Sequence, residues 1–258
     1  MARKLPIGIQ NFEDLRRNGY LYVDKTELLY QVATGGKAYF LSRPRRFGKS
    51  LLMSTMEAYF LGKKELFTGL AMESLETEWK EYPVLHLDLN ARNYDSKEAL
   101  TAILNQHLEK WEIIYGDEKK DRSPEERFSY LLNKIHDTTG LQAVVLIDEY
   151  DKPLLQTIGQ KELQGQYKEI LKAFYGVLKS SDAHLRFVFL TGVTKFGQVS
   201  VFSDLNQLKD ISMDARYATI CGITDEELRK NFQPELEVLA ANEGFDYEGV
   251  CQRMKQMY

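Results

Sequence analysis

Apolar positions along this chain fall into two patterns that alternate: short, mostly apolar runs, and longer stretches repeating every three or four residues. Residues 38–41, 84–89, 143–147, 185–192 and 218–223 are runs of strand length. The run at 143–147 is apolar throughout, which predicts a strand buried on both faces, as at the centre of a parallel sheet. Between the runs, residues 51–61, Ala99 to Trp111, Phe128 to Ile135 and Tyr167 to Leu178 carry apolar side chains at helical spacing. Helix starts are marked by Asn11, by Ser123-Pro124-Glu125-Glu126 and by Thr224-Asp225-Glu226-Glu227, the last two having the form of a capping box. Strands alternating with helices predict a three-layer α/β fold around a mostly parallel sheet. Residues 199–211 read as a loop with short helical pieces, 218–223 as the last strand, and 224–258 as a small helical lid on a core of 1–223.

Composition narrows the chemistry. The chain has 258 residues, enough for one large domain or a domain with an appendage. Its net charge of −4 supplies no general attraction for nucleic acid. Two cysteines, Cys221 and Cys251, argue against a disulfide scaffold and fit a reducing cytoplasm. The four histidines are scattered, so no metal-ligand cluster is expected, and His86 and His107 read as core or boundary residues. No apolar run approaches membrane-spanning length.

Two stretches carry chemistry. Arg43-Pro44-Arg45-Arg46-Phe47-Gly48-Lys49-Ser50 lies between a predicted strand and a predicted helix. It matches the phosphate-binding pattern G-x-x-x-x-G-K-[ST] except that Arg43 replaces the first glycine. A helix start offers free N–H groups and partial positive charge to an anion. Arg45, Arg46, Phe47, Gly48, Lys49, Ser50 and Leu51 are therefore the candidate nucleotide contacts, with Lys49 on the β- and γ-phosphates and the Ser50 hydroxyl on Mg²⁺. About a hundred residues later the buried run ends in Asp148-Glu149, where open α/β sheets bind ligands. Asp148 is the second candidate for Mg²⁺, and Glu149 is the candidate to polarise an attacking water. Thr191, ending another strand, is a candidate sensor of the γ-phosphate, with Lys195 a weaker one. Tyr22 is either a base-stacking residue or a half-buried strand tyrosine. Arg216, Arg45 and Arg46 are candidates for a charge-neutralising arginine, and a surface role is the simpler account of Arg216. A nucleic-acid module built on Arg43, Arg45 and Arg46 is the weaker alternative, since phosphate of a nucleotide explains them better.

These residues, with Leu5-Pro6-Ile7-Gly8, Tyr22-Val23-Asp24-Lys25-Thr26, the 146–151 and 190–196 segments and Leu205 to Ser212, resemble the AAA-ATPase-like family of bacterial P-loop proteins. The resemblance implies strand order 5-1-4-3-2 with the two acids on strand three, ATP and Mg²⁺ as ligands, and Arg43 as a family trait. It also implies that a nuclease-like domain of the PD-(D/E)xK type follows, this chain being the N-terminal part of a longer protein. The function expected is slow Mg²⁺-dependent ATP hydrolysis, or alternatively a nucleotide-gated switch with little turnover.

Overall fold

The computed structural model describes residues 3–117, 119–194 and 208–257. In chain order the regular elements are α1 (Phe12–Arg17), α2 (Thr26–Gly35), β1 (Ala38–Ser42), α3 (Lys49–Phe60), α4 (Ala71–Leu75), β2 (Val84–Asp88), α5 (Lys97–Tyr115) and α6 (Pro124–Thr139). They continue with β3 (Ala143–Asp148), α7 (Lys152–Gln156), α8 (Lys161–Ser180), β4 (Leu185–Gly192), β5 (Lys209–Asp210), α9 (Asp225–Glu243) and α10 (Tyr247–Met257). The strands form one sheet in the order β2-β3-β4-β1-β5, every pair parallel. Read from the other edge this is 5-1-4-3-2, but the fifth position is taken by a different segment from the one expected.

Residues 218–223 are not a strand; they form turns, with Ile220 and Cys221 packed into the core. The fifth strand is Lys209–Asp210, from the stretch expected to be loop, paired with Tyr39 and Phe40. Main-chain pairing at a sheet edge suffices for two polar residues, whereas an apolar run can equally line a turn.

Alternation along the strands separates two cores. Val144 and Leu146 face one side with Phe187, Phe189, Tyr39 and Leu41, and are covered by Phe12, Leu29, Met53 and Phe60 from α1, α2 and α3. Val145 and Ile147 face the other with Val188, Leu190, Leu85 and Leu87, beneath α5, α6 and α8. This is the burial on both faces that an all-apolar strand demands. The capping boxes at Ser123 and Thr224 are formed, and Asn11 accepts from the Asp14 amide at 2.8 Å.

α9 and α10 pack on each other through Leu236, Ala240, Val250 and Cys251, a small apolar cluster of their own. α9 is kinked at Phe232, two residues before Pro234, as expected where a proline removes a helix hydrogen bond. Lys25 is ion-paired with Glu227, and Arg3 with Glu235, tying this helix pair to the N-terminal segment. Among the described residues no helix is long and apolar enough to cross a membrane.

Candidate functional site

The loop from Arg43 to Gly48 leaves β1 and delivers the chain into α3. Its curvature needs left-handed backbone at Arg46 (φ 66°) and Gly48 (φ 87°). Gly48 supplies this at little cost, while a non-glycine residue there is strained. The first turn of α3 has no acidic residue, and among the described residues no side chain caps it, which leaves its N–H groups available to an anion. Among the described residues nothing lies within 4 Å of where a Cβ on Gly48 would stand.

Lys49 is 4% exposed, and its ammonium donates to the carbonyls of Arg43 at 3.1 Å and Pro44 at 3.2 Å. Its remaining direction faces Glu149, with Nζ 3.1 Å from Oε1. Two stretches a hundred residues apart thus meet at one ion pair. Glu149 follows β3 with φ 54°, a left-handed turn that aims its side chain back at the loop. Burial raises its carboxyl above the ordinary glutamate range; Lys49 opposes the rise, and the charges of Asp148 and Asp151 add to it.

Asp148, 3% exposed, ends β3 and accepts a short hydrogen bond from the Thr191 hydroxyl. Thr191 is the penultimate residue of the neighbouring β4, and its Oγ1 lies 3.4 Å from the Glu149 amide. Ser50 stands on the first turn of α3. Hydroxyl and carboxylate oxygens are the hard donors that Mg²⁺ prefers, and the ion usually takes only one or two protein ligands beside phosphate oxygens and water. The donor set fits that ion. Among the described residues no group of three or more His, Cys, Asp or Glu could hold a metal by itself.

Arg43 is engaged within the protein. Its guanidinium donates to the carbonyls of Ser212 at 2.7 Å, Ser42 at 3.0 Å and Tyr217 at 3.2 Å, binding the loop to the turns after β5. Arg45 and Arg46 are exposed. Arg216 pairs with Asp214 at 2.6 Å and lies over the Tyr217 ring, the surface role. Asp88 caps a short helical turn by accepting from the Asn90 amide. Lys195 lies outside the described residues.

Beside the loop is a cavity of about 200 Å³, lined by Leu21, Tyr22, Val23, Phe47, Leu51 and Ile220 among others. Tyr22 lines it while packing edge-on to Phe12 at 5.2 Å, and burial pushes its phenol upward. The turns at 220–223, misread as a strand, contribute Ile220, Cys221, Gly222 and Ile223 to the same wall. Phe232 completes it from the α9 kink.

With this geometry in view, comparison with known proteins is decisive for kinship. A family described as "Predicted AAA-ATPase" matches residues 6–202, most of the chain. This protein belongs to the AAA-ATPase-like family. It is also 39% identical over 254 residues to an uncharacterized protein from the vnfD 5′ region of Azotobacter chroococcum mcd 1. That alignment covers 96% of this chain and 49% of the relative, so the chain spans about half the length of the curated relative it matches. No solved structure matches it. Sequence reasoning gave no role to Tyr150 and Asp151, which are both buried and both bonded to the segment after Thr191. The proline after Lys152 marked a strand break there, and no local signal pointed to partners forty residues away.

Proposed function

We propose that the domain binds Mg²⁺-ATP and hydrolyses it slowly. The observation that carries this reading is the 3.1 Å contact between Lys49 and Glu149, which joins a phosphate-loop lysine to a strand-ending carboxylate. Main-chain N–H groups from Arg45 to Leu51 receive the phosphates, and Lys49 offsets the charge on the β/γ oxygens. Mg²⁺, held by Ser50 and Asp148, would neutralise charge that develops on the transferring phosphoryl group. Glu149, made more basic by burial, orients and deprotonates the water, and Thr191 reports the γ-phosphate through its bond to Asp148. The apolar cavity at Tyr22, Phe47 and Ile220 takes the base. With Arg216 engaged by Asp214, no arginine is assigned to the transition state, in keeping with slow turnover. Residues 224–258 act as a lid. Through Lys25 and Glu227 it couples the nucleotide state to a following nuclease-like domain, as the family resemblance implies.

A second reading, a nucleotide-gated switch with tight binding and no turnover, uses the same loop residues and needs no base at Glu149. Equilibrium binding and single-turnover hydrolysis decide between them. Lys49→Ala should weaken Mg²⁺-ATP binding strongly, and Glu149→Gln should bind at least as tightly as wild type while losing about 100-fold or more in rate. A wild type that binds and never turns over establishes the switch; a wild type that does not bind ATP refutes both.

A further inference from the structure

Asp151 is a buried carboxylate whose only contribution described so far is its charge near Glu149. It is 1% exposed and directs both oxygens at the chain just past β4. The Val193 amide donates to Oδ1 at 3.2 Å and to Oδ2 at 3.1 Å. The Thr194 amide donates to Oδ2 at 2.7 Å, and the Thr194 hydroxyl to the same oxygen at 2.8 Å. Tyr150 adds a bond from its hydroxyl to the Thr194 carbonyl at 2.9 Å, and its own amide donates to the Thr191 carbonyl at 2.9 Å. On the other side the Ser42 hydroxyl donates to the Val193 carbonyl at 2.9 Å, and the Arg43 amide to the Gly192 carbonyl at 3.1 Å. Residues 191–194 are therefore held between the turn that carries the acids and the first residues of the phosphate loop.

The sheet does not need this grip. The β1–β4 ladder ends where Ser42 meets Gly192, and residues 193–194 have already left it. Burying a carboxylate costs several kcal/mol unless it is well paired. An ionised carboxylate is the one side chain that accepts from three donors at once and donates to none, so it fixes the segment in a single arrangement.

We propose that Asp151 is a positioning residue for hydrolysis: by gripping Val193 and Thr194 it holds Thr191 against Asp148 and fixes the left-handed turn that presents Glu149. The inference rests on the hydrolytic reading above. It concerns rate and not affinity, because neither Asp151 nor Thr194 belongs to the loop assigned to the phosphates.

The test measures Mg²⁺-ATP affinity, single-turnover rate and thermal midpoint of the full chain for wild type, Asp151→Asn, Thr194→Val and the double variant. Asp151→Asn turns one acceptor into a donor facing N–H groups, so the rate should fall about 10- to 100-fold, the scale of a small misplacement of a reacting group. The dissociation constant should stay within about twofold. Thr194→Val removes a single bond of the grip and should lower the rate less, and the double variant should fall no further than Asp151→Asn alone. A purely structural role would instead lower the rate only in proportion to the folded fraction. That result overturns the proposal, as does an unchanged rate or an affinity loss equal to the rate loss. Should Asp151→Asn fail to fold, the rate of Thr194→Val decides alone, an unchanged value being fatal. A wild type without turnover removes the hydrolytic reading and this one together; normal turnover in Asp151→Asn removes this one only.

Discussion

Gly192 offers the most direct check on whether the turn after β3 is locked against β4. A Cβ added there would stand 2.5 Å from Cε1 and 2.6 Å from Cδ1 of Tyr150, and 2.9 Å from Oδ1 of Asp151. None of these can retreat freely. The Tyr150 ring is fully buried, meets Phe40 edge-on at 5.4 Å, and is pinned by its hydroxyl bond to Thr194. Gly192 is not in the left-handed region, so the cost of Gly192→Ala comes from space alone. Forcing a methyl into a packed site costs about 1–3 kcal/mol, and two ring carbons at sub-contact distance place this case near the upper end, ~3 kcal/mol. Gly165→Ala is the internal control: it lies on the exposed face of α8 with nothing within 4 Å, and should stabilise by about 0.5–1 kcal/mol through helix propensity. Urea denaturation of both variants beside wild type, with unchanged slopes, gives the two differences. If Gly192→Ala loses less than about 0.5 kcal/mol, the ring is free to move and the reasoning about a rigid grip fails.

Three further outcomes follow. Arg43→Gly, which restores the common loop pattern, should cost about 1–3 kcal/mol in denaturant unfolding and leave ATP affinity unimproved, since carbonyls of Ser212 and Tyr217 lose their donor. His86, whose Nδ1 is 2.9 Å from Glu57, is pulled down by burial and pulled up more strongly by Glu57, Asp148 and Asp88, so its folded pKa lies above 6.5. Its stabilisation is complete below the unfolded value and lost as pH rises through the folded one; Glu57→Gln should therefore lower the melting midpoint most below about pH 6 and progressively less as the pH rises above the ordinary histidine range. Cys221 lines the cavity with its thiol pushed by burial up to about 11, so alkylation at neutral pH should be slow, and slower still with ATP present if the base enters that cavity.

How much of this was legible in the sequence depended on where each residue's partners lie. The strand at 143–147 was plain because burial on both faces requires an unbroken apolar run, and 185–192 because only Arg186 interrupts its apolar stretch before Thr191. Lys49, Asp148, Glu149 and Thr191 could be singled out because the chemistry expected of them depends on their place at a strand end or helix start, which a local pattern reveals. The fifth strand was not legible, because Lys209–Asp210 is a short polar pair that joins Tyr39 and Phe40 by main-chain pairing at the sheet edge, with no apolar run to mark it. Residues 218–223 misled for the converse reason: their apolar side chains line a cavity and fill a core, which strand periodicity imitates. Arg43 stood out as a departure from the phosphate motif, but its partners lie some 170 residues downstream, beyond any local pattern.

The ammonium of Lys49 has three N–H donors, and three directions are taken: two by loop carbonyls and one by Glu149. The carbonyls of Arg43 and Pro44 belong to the loop itself and cannot leave without unmaking it. A phosphate oxygen approaching Lys49 must therefore displace Glu149. In the proposed reading, binding and activation are then one exchange of partners. Glu149 gives up the charge that was holding its proton affinity down, and keeps the burial and the neighbouring carboxylates that push it up. Its basicity rises as the phosphate arrives, so the residue best placed to take a proton from water becomes able to do so only once there is something to hydrolyse. In that reading the Lys49–Glu149 contact suits a slow hydrolase: the partner that restrains Glu149 is the one a phosphate takes over, so binding supplies the step that frees the base.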